Sequence, residues 1–206
     1  PAFGTAQWNR FMASQAQVFF THAISAGGYW PGRVSYAQGE WTRFEMRTSG
    51  EDEPTYRFER AYLTRTESNQ WWRVSAEYDQ GSWVYEALVD TSAEQMVRLR
   101  AKDPDGNVGE IPVEENTIYR SPQELTEESL EGASMGIEEI SVPAGTFSAE
   151  RIEYTGVAGG GTVSWWISSE VPGGIVRYQI SEDGDPVWTS SLVDYGTGAT
   201  TELDSY

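Results

Sequence analysis

Side chains that alternate between apolar and polar along much of the chain are the feature that most constrains its fold. In the segment 40–48, Phe44 and Met46 alternate with charged residues. The pattern returns at 56–62 and 72–77, where aromatic or aliphatic side chains share one side of the chain. A period of two is that of a β-strand with one face buried and the other in water. The alternation predicts a mainly β, antiparallel protein whose wet face carries interleaved Arg and Glu.

The beginning of the chain has a different period. In the stretch 5–26, large apolar side chains recur every three to four residues, which predicts an amphipathic helix. Gly27 and Gly28 follow and would end that helix. From Tyr29 the period changes to two, so strands are expected over about 29–118.

A second group of strands is expected over about 137–195, separated by glycine-rich turns. A short helix at about 121–131 should precede it, because Ser121 can cap the helix and Glu124 completes a capping box. The tail 196–206 is polar, and we expect it to be frayed.

Size and charge limit the classes of function. The 206 residues suit a single domain, 1–206, since no linker divides them. The net charge of −18 comes from 32 acidic and 14 basic residues, and Lys102 is the sole lysine. Such a field repels phosphate, so nucleic acid is not an expected partner. The composition is typical either of a salt-adapted protein or of an acidic proteome with Arg-rich codon usage, and both interpretations stay open. The sequence makes no prediction of oligomeric state.

Membrane and export signals are absent from the printed sequence. No stretch reaches the roughly 18 apolar residues that a transmembrane helix needs. The sequence starts at Pro1 without a basic leader. Removal of a signal peptide or trimming of the chain would each give such a start.

Residues that usually carry catalysis or bind metals are sparse or badly placed. The chain has no cysteine, and His22 is its single histidine, so neither a zinc site nor a triad is expected. Gly159, Gly160 and Gly161 lack the following lysine of a phosphate-binding loop. We therefore expect no enzymatic activity, no metal and no cofactor.

One acidic segment partly matches a calcium-binding loop. Asp103, Asp105, Asn107 and Glu114 occupy positions 1, 3, 5 and 12 of that template, but Val108 stands where the loop needs glycine. A tight Asp-Gly hairpin turn explains the same residues more simply.

Nine tryptophans are the most informative candidates for binding. The pairs Trp71-Trp72 and Trp165-Trp166 place indoles on both faces of their strands. They could fill the core or line an apolar cleft. An exposed member of each pair, Trp71 or Trp166 depending on register, would instead offer a stacking platform for glycans.

Five segments together resemble a known group of proteins. They are GEWTRFEMRTSG (39–50), NQWWRVSAEYD (69–79), EIPV (110–113), SVPAGTFSAERIEY (141–154) and SWWISSEVPGGIVRYQI (164–180). This series is similar to uncharacterised exported bacterial proteins with a fold like that of LolA, the periplasmic lipoprotein carrier. The resemblance implies a curved antiparallel sheet, an incomplete barrel whose concave apolar side is plugged by helices. It also implies export to the periplasm and carriage of an acyl chain or another apolar ligand.

We therefore expect a curved sheet of nine or ten strands wrapped on the N-terminal helix, with a sandwich of two flat sheets as the rival fold. The expected function is non-catalytic binding of a lipid or lipoprotein acyl chain in the concave face. A glycan-binding, structural or partner-binding module with a filled core is the alternative, because the same side chains could simply pack against the helix. The expected lining residues are Phe44, Tyr62, Trp72, Val74 and Trp83.

Overall fold

Two helices and thirteen strands make up the described part of this computed structural model. It describes residues 6–24, 29–30, 35–50, 53–66, 68–78, 81–90, 92, 95–113, 123–157 and 160–206. In chain order the elements are α1 (Ala6–Ile24), β1 (Tyr29–Trp30), β2 (Trp41–Thr48), β3 (Tyr56–Thr66), β4 (Asn69–Tyr78), β5 (Gly81–Asp90), β6 (Gln95–Lys102), β7 (Val108–Ile111), β8 (Gln123–Glu124), α2 (Glu127–Ala133), β9 (Ser134–Val142), β10 (Gly145–Val157), β11 (Gly161–Ile167), β12 (Ile175–Glu182) and β13 (Asp185–Gly196).

Eleven of the strands form one open antiparallel sheet. Its order is β7-β6-β5-β4-β3-β2-β13-β12-β11-β10-β9, and β1 and β8 form a separate two-residue parallel pair. Each half of the sheet is a meander of consecutive hairpins, and the halves meet where β2 pairs with β13. The prediction of a mainly β protein with an antiparallel sheet and an N-terminal helix is confirmed. A sandwich of two separate flat sheets is not what the chain forms.

The second meander, β9 to β13, curls strongly. The backbone N–H of Ala144, in the β9–β10 turn, donates to the carbonyl of Leu192 on β13 at 3.1 Å. The Arg177 guanidinium on β12 donates to the carbonyl of Ser141 on β9 at 3.0 Å. Other strands separate each of these pairs within the sheet, so the sheet must bend to bring them together. This agrees with the expected incomplete barrel.

Helix α1 packs on the first meander, contacting β3, β4 and β7. Its side chains Met12, Ala16 and Phe20 are fully buried. They recur at the spacing of one helix face, which is the pattern that predicted the helix. None of the described helices is long and apolar enough to span a bilayer.

The short helix α2 begins later than the sequence indicated. The Thr126 hydroxyl caps it by accepting a hydrogen bond of 3.2 Å from the backbone N–H of Ser129. Leu130 anchors the helix and is fully buried. The predicted cap at Ser121 lies outside the described residues, and the predicted helical position Glu124 belongs to strand β8. Among the described residues, the helix starts at Glu127 and not before Glu124 as predicted, and Thr126 supplies its cap close to the buried leucine.

The outer face of the first meander carries the expected ladder of Arg and Glu. Glu59 on β3 pairs with Arg43 on β2 and with Arg73 on β4, each at 2.8 Å. Arg98 on β6 pairs with Glu110 on β7 at 2.7 Å. Opposite charges that face each other across strands stabilise a sheet by roughly 0.2–1 kcal/mol each.

The C-terminal segment 197–206, here called the strap, lies across this outer face. Its residues Leu203 and Ser205 are only 2% and 3% exposed. Three arginines of the sheet donate to main-chain carbonyls of the strap: Arg73 to Thr200 at 2.7 Å, Arg98 to Ser205 at 3.0 Å, and Arg100 to Leu203 and Asp204. The prediction of a frayed tail is therefore wrong, since guanidinium groups contributed by distant strands satisfy its backbone.

Candidate ligand-binding face

The five predicted lining residues share one face of the first meander. Strand register brings this about, because Tyr62 lies directly opposite Trp72, and Ala76 directly opposite Trp83. Positions two apart on β4 point to the same side. The structure therefore brings together on one face the side chains of Phe44, Tyr62, Trp72, Val74 and Trp83.

These residues differ in accessibility. Phe44 and Val74 are 2% and 0% exposed, and the Phe44 ring stacks on that of Phe58 with centroids 5.3 Å apart. They form the floor of the face. Tyr62 and Trp72 are half-buried, and their ring centroids are 5.1 Å apart. A ligand on this face would touch the half-buried rings before it reached the floor.

Helix α1 covers the middle of the face. Phe19 contacts the ring of Tyr85 at 5.6 Å and that of Tyr78 at 6.2 Å. Near the other end of α1, Trp8 lies 6.0 Å from Trp83. Aromatic contacts thus join the helix to Trp83, one of the expected lining residues, and to Tyr78 and Tyr85, which were not among them.

An open cleft of about 750 Å³ lies at one end of the face. Tyr56 and Tyr78 line it, with their ring centroids 5.5 Å apart. Its other walls are mostly polar and come from the end of β2 and the β2–β3 connection, and they include the charged residues Glu53, Arg57 and Glu77. Sequence analysis placed Tyr56 on the apolar side of its strand but did not identify the cleft. The residues of the β2–β3 connection that form the cleft contain no sequence motif that predicts one.

Burial raises the pKa of several tyrosines in this region. Burial, with smaller contributions from Tyr78 and Tyr178, raises the pKa of Tyr56 to about 12. Burial also raises the pKa of Tyr178 to about 12, and it raises that of Tyr85 further. Like a tyrosine with its ordinary pKa of about 10, these groups are neutral at pH 7, so their hydroxyls can donate hydrogen bonds.

A buried arginine lies on the apolar face, where the sequence led us to expect apolar side chains. Arg60 is 2% exposed, and its Nε donates to the Tyr36 hydroxyl at 2.6 Å and to the Thr42 hydroxyl at 3.2 Å. Its guanidinium stacks over Phe44, 5.3 Å from the ring centroid. Burial raises the pKa of Tyr36, and the positive charge of Arg60 opposes that shift. The period of two places Arg60 on the same face as Phe58 and Tyr62, but the sequence analysis assigned arginine to the wet face by its residue type.

The tryptophans proposed as an exposed glycan platform are buried. Trp71 is 3% exposed and lies beneath the strap, with the Tyr206 ring 5.9 Å away. Trp166 is 7% exposed, and the guanidinium carbons of Arg151 and Arg177 lie 5.3 and 5.8 Å from its ring centroid. The expectation of an exposed Trp71 or Trp166 is therefore wrong. Among the tryptophans whose side chains the structure describes, none is exposed.

The partial calcium-loop match forms a hairpin turn. The Asp103 carboxylate accepts hydrogen bonds from the backbone N–H of Asn107 at 2.8 Å and from its side-chain amide. Gly106 adopts a φ of +85°, which suits the tight turn. Glu114 and the side chain of His22 lie outside the described residues, as does Gly159. Within the described part of the chain, no group of three His, Cys, Asp or Glu side chains is placed to hold a metal ion.

Comparisons with known proteins bear on the fold. No protein-family model matches the sequence, and no curated protein matches it. A hypothetical protein from Chlamydia trachomatis is similar in structure, with a TM-score of 0.50 at 11% identity, covering 83% of this chain and 93% of that chain. A protein from Bacteroides fragilis, described as exported and YmcC-like in fold, gives a TM-score of 0.39 at 12% identity, covering 80% of this chain and 98% of that one.

A third structure is MucB of Pseudomonas aeruginosa, solved in complex with MucA. Its TM-score is 0.48 at 10% identity, and the match covers 92% of this chain. This chain spans 59% of the length of that MucB structure. At identities this low, the likeness concerns the fold alone.

Proposed function

We propose that the protein is a non-catalytic binding protein that holds an apolar chain, such as a lipid acyl chain, on the concave face beside α1. The observation that supports this is the position of Tyr78. Its ring borders the open cleft and also contacts Phe19 of α1. The aromatic surface therefore continues from solvent to the edge of the covering helix.

The size of the cleft suits such a ligand. Binding sites for small molecules span roughly 300–1,000 Å³, and the cleft of about 750 Å³ falls within that range. Burial of an acyl chain contributes about 0.8 kcal/mol per methylene, so a dozen methylenes give useful affinity without a charged anchor. The rings of Tyr56 and Tyr78 offer the apolar surface on which the chain would lie.

Export is part of the proposal. It follows from the similarity of the segments 141–154 and 164–180 to exported proteins of LolA-like fold. Carriage of a lipoprotein acyl chain would be the corresponding role.

A neutral fluorescent probe tests the binding site. Diphenylhexatriene gains fluorescence when it enters an apolar site and carries no charge that would confuse the result. The Tyr78→Glu substitution places a carboxylate beside the cleft and should weaken probe binding by about tenfold or more, because an apolar probe then has to desolvate that charge. Tyr195→Glu is the matched control, since Tyr195 is 36% exposed and Tyr78 is 37% exposed.

Native mass spectrometry of protein purified from its own source complements this titration. A bound mass removable by solvent extraction would support carriage and show the class of ligand. Equal probe binding by the two glutamate variants, or no probe binding by the unaltered protein, would contradict the proposal.

A further inference from the structure

Strand β9 is one edge of the eleven-stranded sheet, and no described strand pairs with its outer side. It is nine residues long, Ser134–Val142, whereas the opposite edge, β7, has four residues, Val108–Ile111. A long edge presents a row of backbone donors and acceptors that can pair with another extended chain. Natural sheets blunt such edges with short strands, charged side chains, proline or bulges, and β9 has no lysine or proline but carries Glu138, Glu139 and a bulge at Gly136. The Ser141 carbonyl already accepts from Arg177, so the stretch available for pairing lies within 134–140.

Two large apolar side chains project from this edge strand. Met135 is 64% exposed and Ile137 is 76% exposed. Met135 has no partner on β10, so a bulge interrupts the strand alternation here. The two exposed side chains flank Gly136 and form a short apolar strip by their closeness along the chain. Gly136 between them has a φ of +99°, at an irregularity in the pairing of β9 with β10. This end of β9 thus combines exposed apolar side chains with the unpaired outer edge.

Acidic residues surround the strip. Glu138 and Glu139 follow Ile137 on the strand, and both are exposed. Three more exposed glutamates lie on α2, which leads directly into β9: Glu127, Glu128 and Glu131. A second copy of this chain would bring the same negative cluster and the same net charge of −18 against it. Like charges that meet across strands are unfavourable, whereas lysine or arginine would be attracted.

We propose that β9 is a docking edge for an extended basic peptide segment in which apolar residues alternate with lysine or arginine. The segment adds a twelfth strand, and its backbone hydrogen bonds to β9 provide affinity that does not depend on sequence. Its apolar side chains pack on Ile137, while its basic side chains alternate to the opposite face of the sheet, on the side of Glu138. The glutamates of α2 add to the attraction for a basic segment. This surface is separate from the cleft at Tyr78, so either proposal can fail without the other.

A pair of lysine substitutions tests the edge while keeping net charge equal. Ile137→Lys places a lysine on the edge strand, a change that blocks strand addition. Val97→Lys makes the same change at a residue that is 51% exposed on β6, at the other end of the strand order from β9. The probe is a fluorescently labelled octapeptide of alternating Lys and Val, and its affinity is measured by anisotropy. We expect Ile137→Lys to weaken binding about tenfold or more relative to Val97→Lys.

Two further measurements test where the peptide binds and whether its positive charge is required. The bound peptide should slow amide hydrogen exchange in 134–140 and leave β7 unaffected. A peptide of alternating Glu and Val should bind far more weakly. Equal loss in the two lysine variants, equal binding of the acidic peptide, protection elsewhere, or no binding by the unaltered protein would each overturn the proposal. A dimer of the unaltered protein in sedimentation, dissociated by Ile137→Lys, would also overturn it, because β9 would then pair with a second copy of this chain.

Discussion

The carboxylate of Glu86, on β5, accepts a hydrogen bond of 2.6 Å from the hydroxyl of Thr201 in the strap. It also accepts one of 2.6 Å from the backbone N–H of Glu202. Glu86 is fully buried, so these strap groups take the place of water around its oxygens. The outer face of the first meander and the end of the chain therefore depend on each other.

Replacing Glu86 with alanine should release the strap. We expect a loss of about 1–3 kcal/mol in the free energy of unfolding, because the Glu202 N–H and the Thr201 hydroxyl lose their acceptor. Urea denaturation measures the loss, and amide exchange in 199–206 should become faster. Glu182→Ala is the control, since Glu182 is exposed on β12 and its loss should matter little. Unchanged protection of the strap in Glu86→Ala would show that the arginine contacts alone hold it.

Phe44 tests whether the floor of the concave face is packed. Phe44 is 2% exposed and stacks on Phe58. Phe44→Ala should therefore destabilise the protein by about 3–5 kcal/mol, as expected when a filled core loses a ring. Val97→Ala, at an exposed position, should stay within about 0.5 kcal/mol in the same denaturation experiment. A small loss for Phe44→Ala would mean that the ring borders open space.

High pH should unfold the protein through its buried tyrosines. The pKa values of Tyr56 and Tyr178 rise from 10.0 to about 12 on folding, so the folded state holds these protons more tightly than the unfolded chain. Their contribution to stability is complete below pH 10 and is lost as the pH rises towards 12. Ultraviolet absorbance of tyrosinate, followed together with circular dichroism, should show late ionisation coupled to unfolding.

The matched variant in that titration is Tyr56→Phe, which should lose part of the coupled signal and retain more stability at high pH. Ionisation of every tyrosine near pH 10 in a protein that stays folded would contradict this interpretation.

Salt should stabilise the protein if its charge of −18 reflects salt adaptation. Self-repulsion among carboxylates is screened at a Debye length of roughly 3 Å in 1 M salt. We expect Tm to rise more steeply with KCl than with an osmolyte such as sucrose, which strengthens burial without screening charge. A Tm that is flat between low and molar KCl would favour the alternative of a generally acidic proteome.

Local periodicity predicted the elements well where the signal was itself local. The segment 40–48 contains strand β2, Trp41–Thr48, and the stretch 5–26 contains α1, Ala6–Ile24. The strap could not be predicted in this way. Its polar composition is that of a solvated tail, and the groups that bind it come from β4, β5 and β6, about a hundred residues earlier in the chain.

The candidate site was predicted in part for a related reason. Alternation places side chains correctly along one strand, but bulges change which face the next residues occupy. On β3 the register shifts between Tyr62 and Thr64, so Tyr62 faces Trp72 while Thr64 faces Trp71. Trp71 is buried because the strap covers it. The alternation within the strands gives no information about the strap, so this burial could not be predicted.

The pairing of β2 with β13 has a consequence for how the protein is made. These strands are separated by more than half the length of the chain, and their contact joins the two meanders. During vectorial synthesis the first meander emerges first, and β2 keeps a free edge until residue 196 has followed it. Such non-local pairing forms slowly and leaves strand edges open to aggregation. The nascent chain is thus most vulnerable along β2 before its last strand arrives.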